Sequence, residues 1–171
     1  MDSMDWGRVD FAQMAIAEGD YESAVGQLRS MIRAGFPPAY YELGKLYEKG
    51  HGVARDPAKA ASLYGEAIRI PSPILGHASL NLAKLYLAGE GVPRNEALAY
   101  HLLRQAIEED IGRDAALLLA NMLTDGQGVE GEPQRAIELY RRAAENGNPQ
   151  ALLALAKAYR PGGWYREDPA R

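Results

Sequence analysis

Three lysines and one asparagine recur at one position of a repeating segment and are the strongest candidates for binding chemistry. They are Lys45, Lys84, Asn121 and Lys157, and each follows a small residue. If successive segments stack, these side chains form a row of three ammonium groups and one amide. Such a row favours an acidic segment of a protein partner. An ordinary hydrated lysine face has the same pattern, because lysine is a good helix former and is usually exposed.

Other polar groups in the sequence give no catalytic or metal-binding pattern. The histidines His51, His77 and His101 occupy different positions and have no cysteine to support a metal cluster. The loop 125–132 alternates acids and glycines but lacks the ligand order of a calcium loop. The adjacent acids 108–110 point in different directions on a helix, so they do not converge. The motifs typical of dinucleotide binding, phosphate transfer and hydrolysis are missing. We therefore expect no enzyme activity, no metal and no cofactor.

The composition is that of a folded protein rather than a disordered or disulfide-built one. The chain has 171 residues, of which 47% are hydrophobic and 25% charged, and it has no cysteine. Its formal net charge of −4 argues against nucleic acid as a partner. No apolar run is long enough for a membrane span, and the first residues are acidic where a signal peptide would be basic. We expect a soluble protein with no targeting segment, periplasmic if a signal peptide was removed and otherwise cytoplasmic.

Comparison of the chain with itself shows a repeat. The segment Tyr41–Val53 returns as Leu80–Val92 and, more loosely, as Leu117–Val129. A partial fourth copy starts at Ala151. A fixed period of this length is typical of repeat proteins, in which each unit stacks on its neighbours.

Each copy is expected to form two helices joined by a glycine loop. Apolar residues recur with helical spacing on both sides of Gly50 and Gly52, and these glycines permit a tight turn. The dipeptide Asp56-Pro57 then begins a second helix, since Asp caps free amides and Pro needs no amide. Small residues recur where two helices must approach closely, at Gly44, Ala83, Ala120 and Ala156. A single hairpin cannot bury its apolar face, so the pattern predicts an all-α solenoid.

The repeats divide the chain as one continuous domain. We expect a capping helix pair over 1–38, full repeats over 39–77, 78–114 and 115–150, and a partial repeat over 151–171. In the cap, the apolar stripe of the first helix is assigned to Phe11, Ala12 and Ala15. The partial repeat leaves an apolar face uncovered unless further repeats follow or another chain, such as a second copy, docks there.

These repeats resemble the Sel-1-like repeat family, a longer-looped relative of the tetratricopeptide repeats. The first copy matches the family pattern at the following residues: Ala39, Leu43, Gly44, Tyr47, Gly50, Gly52, Val53, Asp56, Ala60, Tyr64 and Ala67. The sequence departs from the pattern at Trp164, which stands where the second loop glycine belongs. The resemblance implies a right-handed α-solenoid that acts as a non-catalytic adaptor or scaffold for other proteins.

The resemblance also indicates where a partner would bind. In tetratricopeptide relatives the first-helix face is concave and receives extended peptides. On this face Tyr41 and Asn81 flank the lysine row and offer stacking and hydrogen bonds to a partner's backbone.

Two other functions stay open at this point. One is a structural spacer within a larger assembly, such as bacterial exopolysaccharide export or signalling, that contacts partners through its ends. The other is a glycan-processing enzyme, for which the only support is the link of the family with cell-envelope systems.

Overall fold

The structure, a computed structural model, is mainly helical over the residues that it describes. It describes residues 4–108, 112–126, 131–145 and 147–165, with side chains from residue 11 onward except 112 and 113. The helices of these ranges are α1 Met4–Glu18, α2 Tyr21–Arg33, α3 Pro37–Lys49, α4 Pro57–Ala67, α5 Leu75–Ala88, α6 Glu96–Glu108, α7 Gly112–Asp125, α8 Pro133–Glu145 and α9 Pro149–Tyr159. These ranges contain no strand, and the predicted all-α fold is confirmed. None of the described helices has the length and apolar character needed to cross a bilayer.

The helices fall into two compact units, Met1–Arg94 and Asn95–Arg171. In the first unit each helix from α1 to α5 packs against the next one along the chain. In the second unit the same holds from α6 to α9. Helical hairpins therefore stack on their neighbours within each unit, as expected of a repeat protein whose single hairpins cannot bury their apolar faces.

The helix boundaries follow the capping signals of the sequence. The Asp56 carboxylate accepts a hydrogen bond of 3.0 Å from the backbone N–H of Lys59, and Pro57 occupies the first turn of α4. Asn95 caps α6 in the same way, through the N–H of Leu98 at 2.9 Å. At the end of α3, Gly50 has a φ of 75°, so the predicted glycine turn is confirmed.

Three of the four predicted small residues lie where helices meet. Ala83 on α5 and Ala120 on α7 are fully buried. A Cβ atom added to Gly44 on α3 would lie 2.7 Å from Cε1 of Tyr64, so the bare backbone of α3 is needed for the tyrosine of α4 to pack. By contrast, Ala156 on α9 is exposed.

The expected stripe of the first helix is wrong in one member. Ala12 and Ala15 are buried, but the side chain of Phe11 is 65% exposed. Adjacent residues of an α-helix point about 100° apart, and α1 packs against α2 with the alanine face. Phe11 therefore lies at the edge of this face, where it lines a cleft together with Gln27 and Met31 of α2, and Met14 is exposed as well.

Candidate functional site

In the first unit, candidate residues gather around Tyr64, a fully buried tyrosine of α4. The Tyr64 hydroxyl donates a hydrogen bond to Oε2 of Glu48 at 2.5 Å and accepts one from Nδ2 of Asn81 at 3.3 Å. The ring of Tyr41 lies 5.8 Å from that of Tyr64, measured between centroids. Helices α3, α4 and α5 thus each contribute to one polar cluster in an otherwise apolar layer.

Both tyrosines of this cluster hold their protons more tightly than a free tyrosine. Burial raises the pKa of Tyr41 to about 12, and the negative charges of Glu42 and Glu48 add to the effect. Burial and the neighbouring carboxylate of Glu48 also raise the pKa of Tyr64. At neutral pH both hydroxyls are therefore protonated, and they serve as hydrogen-bonding groups rather than as bases.

Lys45 belongs to the same cluster but does not present an uncompensated charge. Its Nζ lies 2.8 Å from Oε2 of Glu42, one helical turn earlier on α3, and 5.1 Å from the centre of the Tyr41 ring. The Glu42 side chain is itself largely buried. This ion pair balances the positive charge that the sequence pattern assigned to a lysine row.

Lys84 lies apart from these contacts. It is exposed on α5 and forms no ion pair with any carboxylate that the structure describes. Among the lysines of the first unit's candidate set, it is the one that offers its full charge to solvent.

In the second unit, Asn121 of α7 and Lys157 of α9 line one concave cavity of about 320 Å³. The cavity lies over Tyr140 of α8, the counterpart of Tyr64 in the repeat. Its other lining residues are Leu117, Thr124, Gln150, Leu153, Ala154 and Trp164.

The hydrogen bonds at Tyr140 fix the orientation of the Asn121 amide. The Tyr140 hydroxyl donates to Oδ1 of Asn121 at 2.8 Å, so the amide N–H groups of Asn121 point elsewhere. The Thr124 hydroxyl donates to the backbone carbonyl of Ala120 at 2.8 Å and lies 3.3 Å from the Tyr140 oxygen. Burial raises the pKa of Tyr140, which is therefore neutral at neutral pH.

The structure thus distributes the sequence candidates over two places. Tyr41, Lys45 and Asn81 meet around Tyr64, whereas Asn121 and Lys157 meet at the cavity over Tyr140. A single row that joins the two units stays a prediction.

Sequence reasoning missed the two tyrosines at the centre of these clusters. Their recurrence in the second helix of the repeat predicts core packing, and both are buried. A signal was present in the hydroxyl itself, because a buried tyrosine usually has a hydrogen-bond partner. The partner of Tyr64 is Glu48, and the partner of Tyr140 is Asn121.

No metal-binding group is found among the residues that the structure describes. His77 lies with its ring 6.0 Å from that of Tyr41, and His51 with its ring 4.6 Å from that of Tyr21. Both histidines therefore make aromatic contacts instead of forming a cluster of ligands.

The family assignment follows from the repeats. The Sel1 repeat model matches residues 37–69, 76–110 and 113–148, which together make up more than half of the chain. The chain belongs to the Sel1 repeat family. No curated protein matches it.

Two solved structures of Sel1 repeat proteins are similar to this chain. A Sel1 repeat protein from Oxalobacter formigenes is 27% identical to this chain, with a TM-score of 0.80. The match covers 93% of this chain and 64% of the Oxalobacter chain. The protein c5321, a protective antigen of uropathogenic Escherichia coli with an SLR fold, is 31% identical with a TM-score of 0.71. That match covers 82% of this chain and 30% of c5321. The present chain is thus shorter than the bacterial solenoid proteins it matches.

Proposed function

We propose that this Sel1 repeat protein is a non-catalytic adaptor that binds a segment of a partner protein through its first-helix side chains. Sel1 repeat proteins are generally scaffolds for protein interaction, and the family is typically non-catalytic. The observation that carries the proposal is the cavity of the second unit, where Asn121 and Lys157 come together. Concave sites with a few convergent polar groups are the usual form of a binding site.

The first unit also supports the proposal, through an exposed lysine and ordered polar side chains on its first helices. Lys84 is exposed on the first helix of its repeat, while Tyr41 and Asn81 are held in place by the cluster at Tyr64. A side chain that is already fixed loses less conformational entropy when a partner binds. The first-helix surface of this unit therefore combines the exposed charge of Lys84 with ordered polar groups.

A spacer that contacts its partners through its ends is the second candidate. Large apolar side chains are exposed on the outer helices, with Phe11 and Met14 on α1 and Leu152 and Leu153 on α9. Exposed apolar groups of this kind favour contact with another protein surface.

The adaptor proposal is tested with a random dodecapeptide library that is displayed and selected against the immobilised protein. Selected peptides are then titrated against the double variant Lys84→Glu/Lys157→Glu. Because this change reverses two exposed cations of the first helices, we expect affinity to fall by at least about tenfold.

The matched control is Arg69→Glu/Arg104→Glu, which makes the same change in net charge. Arg69 follows α4 and Arg104 lies on α6, so both belong to the second-helix side of the repeats, and both are exposed. Their reversal should leave peptide affinity unchanged. Equal losses in the two double variants, or no loss in either, would contradict the proposal.

A further inference from the structure

We propose that the cavity over Tyr140 is a pocket for an acidic side chain of the partner, with Lys157 as its charged contact. The proposal rests on the adaptor function above and names the chemistry that one of its binding sites recognises. Its basis is a difference between two repeats that share the same tyrosine.

In the first unit, side chains of the protein fill the space around this tyrosine. Three side chains surround Tyr64: the ring of Tyr41 lies beside its ring, and the amide of Asn81 and the carboxylate of Glu48 bond to its hydroxyl. Each comes from a fixed position of the repeat. Asn81 and Glu48 satisfy the hydroxyl with one donor and one acceptor from within the protein.

The second unit has smaller side chains at these three positions. Counted along the repeat, Tyr41 corresponds to Leu117, Asn81 to Ala154 and Glu48 to Thr124. All three of the smaller residues line the cavity. The cavity is therefore the space that a phenol, a carboxamide and a carboxylate occupy in the first unit, left open by substitution.

The groups that remain around this space are mainly hydrogen-bond donors. Lys157 contributes an ammonium group that pairs with no carboxylate of the described residues. The amide N–H groups of Asn121 are free to donate, because its oxygen accepts from Tyr140. Gln150 adds a second exposed amide. The charge of Asp125 reaches Tyr140 through space, but Asp125 does not line the cavity.

One wall of the cavity is apolar. The ring of Trp164 lies 6.5 Å from that of Tyr140, and it is held by a backbone turn in which Tyr165 N–H donates to the carbonyl of Ala158 at 3.3 Å. Leu153 of α9 lies on the same cavity and is 56% exposed. Trp164 occupies the position where the repeat pattern has a loop glycine, so this wall is a departure from the other repeats.

These features fit an acidic side chain better than a neutral or basic one. A carboxylate accepts hydrogen bonds from Lys157 and Asn121 together, and charge-assisted hydrogen bonds are the stronger kind. The methylene stem of an aspartate or glutamate packs against Trp164 and Leu153. A volume of about 320 Å³ is at the lower end of the range for ligand sites, which suits a short peptide segment.

The experiment uses peptides selected from the dodecapeptide library and follows their binding by tryptophan fluorescence in the Trp6→Phe variant. Trp164 is then the single reporter, since the chain has two tryptophans. We expect selected peptides to contain Asp or Glu and to change the emission of Trp164. Replacing that acid by its amide, or Lys157 by Met, should lower affinity by at least about tenfold.

A second variant fills the pocket without changing its charge. Leu117→Tyr/Ala154→Asn places the side chains of the first unit around Tyr140 and should abolish binding, because the space is then occupied. Ala154→Asn alone is a milder version for the case in which the double variant does not fold. Leu152→Asn, on the exposed face of α9 and outside the cavity lining, is the matched control and should bind as before.

The outcomes separate the two proposals. If no selected peptide binds either unit, the adaptor function fails and the pocket fails with it. If peptides bind and lose affinity in the Lys84→Glu/Lys157→Glu variant but bind the filled pocket normally, the function stands and the pocket is refuted. Unchanged affinity after the acid-to-amide replacement also refutes it.

Discussion

At the scale of single residues, one buried tyrosine organises each of the two clusters. Tyr64 meets a carboxylate and an amide, whereas Tyr140 meets an amide and a threonine. In the first unit this arrangement depends on Gly44, because any side chain there overlaps the Tyr64 ring. A tyrosine that looks like ordinary core packing thus decides where polar groups collect on the neighbouring helices.

Replacing Gly44 by alanine should therefore destabilise the protein. The new Cβ would lie 2.7 Å from Tyr64 Cε1, so the ring must move away from its partners. We expect the free energy of unfolding, measured by urea denaturation, to fall by about 1–3 kcal/mol.

The matched control is Gly65→Ala, one residue after Tyr64 in α4. A Cβ at Gly65 would meet no atom within 4 Å, and alanine is the better helix former. The free energy of unfolding of this variant should rise by about 0.5–1 kcal/mol. A neutral Gly44→Ala substitution would show that the tyrosine does not need the close approach of α3.

The sequence predicted the need for a small residue at Gly44. It did not predict the ion pair of Lys45 with Glu42, although the spacing of the two residues indicates it. Glu42 precedes Lys45 by three residues, a spacing that brings two side chains together on a helix. The cavity over Tyr140 was missed for another reason. It arises from smaller residues on two different helices, Leu117 and Ala154, and shows only when repeats are compared position by position.

At the scale of elements, the glycine loops join one hairpin to the one before it. Gly91, in the loop after α5, has a φ of 71° and approaches the first turn of α4 so closely that a Cβ would overlap the backbone of Pro57 and Ala58. Arg55, just before that turn, forms an ion pair with Glu90 of the loop, with 2.5 Å between Nη2 and Oε2. The loop is therefore part of the packing between hairpins as well as a connection.

Two glycines of this loop should differ in their response to alanine. Gly89 has a similar φ of 68°, but its Cβ would meet only the side chain and backbone of Arg94 at 3.4 Å or more. Gly89→Ala should lower the free energy of unfolding by about 1–2 kcal/mol, because alanine is strained in the left-handed backbone conformation. Gly91→Ala should lower the free energy of unfolding by about 1–3 kcal/mol more than Gly89→Ala does, because α4 must also move. Thermal unfolding of both variants checks this order, and an equal or smaller loss at Gly91 would contradict it.

The sequence predicted the helices well, because capping residues and glycines act locally. It did not show how much of the apolar stripe of α1 is buried, since Phe11 belongs to that stripe and is exposed. Phe11, Ala12 and Ala15 span about 100° of the helix, so Phe11 lies at one edge of the face that they share. Whether a residue at the edge is buried depends on the partner helix, and the small side chains of Ala12 and Ala15 allow the closer approach to α2.

At the scale of the whole molecule, the adaptor and the spacer differ in the surface that a partner covers. An adaptor is covered on its first-helix side chains, near Lys84 and near the cavity that Lys157 lines. A spacer is covered at its outer helices, where Met14 and Leu152 are 56% and 57% exposed. The chain has no cysteine, so single cysteines can be introduced as reporters of either surface.

The most direct measurement is the rate at which a maleimide reacts with such cysteines in the presence of a bound, selected peptide. Ala88→Cys lies one helical turn after Lys84, and Asp125→Cys one turn after Asn121; both positions are exposed. The adaptor account predicts that the peptide slows labelling at one or both of these sites and leaves Met14→Cys and Leu152→Cys unaffected. Protection confined to Met14→Cys and Leu152→Cys would contradict it.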